Sequence, residues 1–91
     1  MNLPSYKSPL PEGISFRMWS GRNPEPVFST GGKWLHPILD AERFLEKNPG
    51  LRDDILCVHD SAVGKAAAVL LVRCGVRYIH ADLASSLAVC F

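Results

Sequence analysis

The sequence has almost no charge excess of either sign: 10 Lys and Arg stand against 9 Asp and Glu. A nucleic-acid-binding surface needs a clustered basic excess, so that class of partner is not expected. No apolar run approaches the ~20 residues of a membrane span, and Met1–Pro11 lacks the apolar stretch of a signal peptide. A membrane partner is therefore not expected, and the chain reads as soluble and cytoplasmic. Cysteine is scarce: Cys57, Cys74 and Cys90 form an odd, widely spaced set among apolar neighbours. Disulfide scaffolds use an even, denser set, and zinc sites usually show a C-x-x-C pair, so the three read as small buried hydrophobes in a reducing compartment. Internal repeats and low-complexity segments are missing too. What is present is an ordinary apolar share, 47% of 91 residues, enough for one small domain and against disorder.

Local pattern divides the chain. Residues 1–13 carry Pro4, Pro9 and Pro11 and little periodicity, which reads as an extended N-terminal arm. Residues 14–91 read as a single α/β domain. Ile14, Phe16 and Met18 alternate with Ser15, Arg17 and Trp19, the period of a strand. Ser20-Gly21-Arg22-Asn23-Pro24 is turn chemistry, and Pro26–Thr30 reads as the returning strand of a β-hairpin. Gly31-Gly32 ends that strand. Pro37 suits the first turn of a helix, in which Ile38, Ala41, Phe44 and Leu45 repeat at helical spacing before Asn48-Pro49-Gly50 stops it.

The second half reads as a βαβ unit over 55–81. Ile55–Val58 is a short apolar strand, and His59-Asp60-Ser61 supplies helix N-cap candidates. Ala62–Cys74 is a nearly all-round apolar helix, Gly75 a helix-ending glycine, and Val76–Ala81 the next strand. A last helix is expected from Leu83. It reaches the apolar Leu87–Phe91 with no cap, so it reads as an element cut short of a longer parent chain or covered by a second copy of this one.

Chemistry concentrates at the strand-to-helix junctions. His59–Ala66 brushes against the phosphate-binding pattern G-x-x-x-x-G-K-[ST]: Gly64-Lys65 match, but His59 replaces the first Gly and Ala66 the hydroxyl residue. Without those two, the backbone cradle and the magnesium ligand are lost, so a nucleotide triphosphatase is rejected. A helix N-terminus still attracts polar ligands through its unpaired N–H groups. Asp60, Ser61, Gly64 and Lys65 are therefore taken as candidate ligand-binding residues. Both loops should share one sheet edge, where α/β proteins bind ligands, so Ser85 and Ser86 join the set from the second junction. The bland alternative is that these groups cap helices. His36, His59 and His80 show no short-range pair and read as surface or capping histidines, so no metal site and no cofactor are assigned.

Asp60–Val72, with Gly75-Val76 and the strand to Ala81, resembles the DUF1893 family, a prokaryotic family of unknown activity whose fold is like that of cytidine deaminase. The likeness extends to the hairpin and to Gly31-Gly32…His36-Pro37-Ile38-Leu39, covering roughly residues 14–91. It implies a three-layer α/β/α sandwich in which a hairpin joins parallel strands. A zinc deaminase needs His or Cys followed by Glu at one helix start and P-C-x-x-C at the next. Asp60-Ser61-Ala62 lacks the Glu and Ala84-Ser85-Ser86 lacks the cysteine pair, so zinc-dependent deaminase activity is predicted absent and no catalytic residue is assigned. The leading expectation is a zinc-less deaminase-like domain binding a small polar or nucleotide-type molecule. The alternative is an interaction or regulatory domain that self-associates, or docks on the rest of a parent chain, through its apolar C-terminal helix. An enzyme using Asp60 as base or nucleophile ranks below both.

Overall fold

The period-2 segment forms strand β1 (Phe16–Ser20), and the chain returns through β2 (Phe28–Thr30), pairing antiparallel with Phe16 opposite Thr30 and Met18 opposite Phe28. The hairpin expected from the turn residues is present in the computed structural model, which describes residues 6–21, 23–33 and 35–84. Helix α1 (His36–Lys47) follows, with Pro37 in its first turn, where a missing N–H breaks no helical bond. Asn48 closes it, its side-chain amide donating to the Phe44 carbonyl at 2.9 Å, and a short 3₁₀ turn spans Pro49–Asp53.

Strand β3 (Leu56–Val63), helix α2 (Lys65–Arg73) and strand β4 (Val76–Ala84) complete the described chain. β3 and β4 run parallel, as the βαβ reading requires, and the sheet order is β2-β1-β3-β4 with β1 antiparallel to β3. Gly75 turns out of α2 with φ +87°, a conformation that a side chain disfavours.

Two expected boundaries are corrected. Asp60 and Ser61 are not helix caps: β3 runs through both, because its backbone pairs with β1 on one side and β4 on the other, Asp60 standing between Phe16 and Ala81. The helix expected from Ala62 starts at Lys65, with Gly64 as its cap residue. Likewise Leu83 does not begin a helix, since β4 stays in register to the Val63–Ala84 pair. Residues 85–91, which include the rest of that expected helix, lie outside the described residues.

One hydrophobic core joins both halves. Phe16 and Met18 of β1, and Leu56 and Val58 of β3, pack with Ile38, Ala41 and Leu45 of α1 and with Ala67, Ala68 and Leu71 of α2. Both described helices therefore lie on the same face of the sheet, giving two layers among the described residues. Phe28 links them further, its ring 5.3 Å from Phe44 and 6.1 Å from Phe16 between centroids. Cys57 and Cys74 are buried, matching the reading of these residues as small core side chains. Among the described residues no helix is long and apolar enough to cross a membrane.

Candidate functional site

Because β2 and β3 both run antiparallel to β1, their C-terminal ends meet at one edge of the sheet, beside the entry to β1. A cavity of about 510 Å³ opens there. Its walls come from three places: Gly13–Ser15 before β1, Gly31–Lys33 with Pro37 between β2 and α1, and Asp60–Ala62 near the end of β3. Hydrogen bonds fix these segments to one another. The Ser61 N–H donates to the Ser15 carbonyl at 2.9 Å, the Ser15 N–H to the Thr30 carbonyl at 3.0 Å, and the Ser15 hydroxyl to the Gly32 carbonyl at 2.6 Å. Gly31 lets the strands close up: a Cβ there would collide with the Gly13 carbonyl oxygen.

Asp60 is the polar group on which this cavity turns. It pairs across to Phe16, a core residue of the helix-covered face, and only 4% of it is exposed. One carboxylate oxygen, Oδ1, accepts from the Ala62 N–H at 3.4 Å, while Oδ2 is buried with no partner among the described residues. Burial raises its pKa from 3.8 to about 6, against the lowering influence of the Ala62 and Ser61 N–H groups and of His59. A buried acceptor without a donor is costly. Asp60 lines the cavity, and a donor on an entering molecule meets Oδ2 once the carboxylate turns toward the opening.

Of the six residues singled out from sequence, Asp60 and Ser61 line this cavity. Gly64 and Lys65 line an adjoining crevice with Leu35, Ala66 and Ala67, and Ala62 borders both. Ser85 and Ser86 follow β4 in the chain and lie outside the described residues. Gly31 and Gly32, which end the second hairpin strand, are wall residues. Lys33, exposed beside them, was missed; its signal was a cation following a glycine pair at a strand end.

The histidines sort differently from the expectation of surface or capping groups. His36, exposed, opens α1. His59 and His80 stand side by side on β3 and β4, and their rings meet edge to face at 4.7 Å. Asp82 Oδ1 lies 2.8 Å from His59 Nε2. Spacing in sequence carries no trace of this group, because the parallel register brings it together.

No protein-family model matches the chain, and no curated protein matches it in sequence. The site has to be read from its own chemistry.

Proposed function

We propose that the chain is a deaminase-like α/β domain of the DUF1893 type that binds a small nucleoside-type molecule in the cavity at the end of β3, without zinc-dependent deamination. The hairpin joined to a parallel βαβ unit supports the deaminase-like arrangement, in which a third layer would cover the face opposite α1 and α2. The ligand reading rests on one observation, the unpartnered buried Oδ2 of Asp60. A carboxylate so placed selects a donor, such as the amino group of a base or a sugar hydroxyl, and opposes a phosphate set directly against it. Lys33 at the exposed side supports a place for an anionic substituent further out.

Calorimetric titration with cytidine, adenosine and their 5′-monophosphates tests the reading. At least one of the four is expected to bind, and Asp60→Asn to weaken that binding tenfold or more, about 1.4 kcal/mol. Lys33→Ala is expected to weaken the monophosphates alone. Failure of all four to bind overturns the ligand class, and undiminished binding by Asp60→Asn removes Asp60 from the site.

A second reading, self-association, is favoured by β4. It is the last strand of the described sheet, with Leu83 71% exposed and Tyr78 and Ile79 partly so. It predicts a mass that rises with concentration in light scattering; a constant monomer mass excludes it.

A further inference from the structure

The face of the sheet opposite Asp60 carries a separate gathering of donor groups. Alternation along β3 puts His59 on the other side from its neighbour Asp60. Parallel pairing sets His80 of β4 beside it, and Asp82, two residues further along β4, is on the same side. His59 is 1% exposed, while the side chains of His80 and Asp82 are 35% and 53% exposed. One donor atom from each of the three lies within 4.8 Å of the other two.

The distances fit a coordination shell before closure. Nitrogen and oxygen ligands at about 2.0–2.2 Å from a tetrahedral ion stand roughly 3.3 Å from each other. Here His59 Nε2 is 2.8 Å, and His80 Nε2 3.9 Å, from the same Asp82 oxygen. These two values bracket the requirement, the remaining separation lies within 4.8 Å, and the two part-exposed side chains on β4 can turn to close the set. For Nε2 of His59 to bind an ion it must be unprotonated, which puts the ring proton on Nδ1, a buried nitrogen with no hydrogen-bond partner among the described residues.

We propose that His59, His80 and Asp82 bind a divalent transition ion of the zinc class, leaving at least one coordination position open. Two imidazoles and one carboxylate suit zinc, cobalt, nickel or ferrous iron, and disfavour magnesium and calcium, which prefer all-oxygen shells. Among the described residues the exposed side of His80 and Asp82 provides the approach, and a third layer on this face would have to leave it open. The ligands are strand residues on the outer face, so the ion lies across the sheet from the Asp60 cavity and its binding needs no nucleoside.

The test uses the whole chain, stripped with a chelator and then titrated with Zn²⁺ by calorimetry and with Co²⁺ by visible absorption. One ion per chain is expected, with a ligand-field band for Co²⁺ that Zn²⁺ displaces. His80→Ala and Asp82→Asn alter half-exposed side chains and should fold; each is expected to weaken Zn²⁺ binding tenfold or more, while His36→Ala leaves it unchanged. His59 sits in the protein interior, so its replacement is not relied on. Zn²⁺ binding weaker than millimolar, binding that survives both β4 variants, or Mg²⁺ binding as tight as Zn²⁺ would each overturn the proposal.

Discussion

Asp60 is where burial and charge conflict most openly. An unfolded aspartate loses its proton near 3.8, whereas folded Asp60 keeps it to about 6. Between those values the unfolded chain ionises first. Stability therefore falls as pH rises from about 4 to about 6 and stays reduced above that. Asp60→Asn removes this titration. The gap between the two values sets the effect at up to about 3 kcal/mol. Urea unfolding of parent and variant with chelator present should show the variant gaining that much between pH 4 and pH 7; a pH-independent difference refutes the account. Gly31 makes a second residue-scale case. A methyl group there meets the Gly13 backbone, whereas one on Gly32 comes within 3.3 Å of the Pro37 ring and meets no backbone. Gly31→Ala is expected to cost about 1–3 kcal/mol and Gly32→Ala clearly less, as thermal midpoints would show.

At the scale of elements, the boundary between β3 and α2 separates what sequence could tell from what it could not. The hairpin, α1 and the glycine that ends α2 were legible because each depends on local chemistry: Gly21 and Asn23 in the turn, Pro37 at a helix start, Gly75 at φ +87°. His59-Asp60-Ser61 carried an equally good local signal for a helix cap. It lost to pairing on both sides of β3, an effect that depends on residues more than 40 positions earlier and 21 later. The same pairing hid the His59–His80–Asp82 group, which needs the β3–β4 register before any of it becomes visible. Half of the Asp60 cavity was legible, since strand ends in α/β sheets favour ligands. The other half, Gly13–Ser15 and Gly31–Lys33, follows from the antiparallel β1–β3 contact. Moving the cap to Gly64 has a consequence for stability. Its φ of −93° suits any residue, and among the described residues a Cβ there meets nothing within 4 Å and no side chain caps α2. Gly64→Ser supplies the missing acceptor and restricts the unfolded chain, for an expected gain of about 0.5–1 kcal/mol. A lowered denaturation midpoint would show that Gly64 is not the cap.

At the scale of the molecule, one core among the described residues underlies two candidate sites that face opposite ways. α1 and α2 cover one side of the sheet, and the same β3 that presents Asp60 beneath them presents His59 on the far side. Neither site has its own supporting core, so the geometry of both depends on the sheet staying packed. Leu45 tests that dependence. It is wholly buried, on the helix that connects the hairpin half to the βαβ half. Removing three of its carbons should cost about 2–5 kcal/mol, a large part of the roughly 5–14 kcal/mol available to a 91-residue chain. If the core is one cooperative unit, Leu45→Ala lowers the unfolding midpoint while tryptophan fluorescence, to which Trp19 on β1 contributes, and far-UV ellipticity still change together. Helical signal lost ahead of the fluorescence would mean that α1 can leave the sheet by itself. The cavity wall at Pro37 would then open without unfolding β3, and ligand binding at Asp60 would become separable from metal binding at His59.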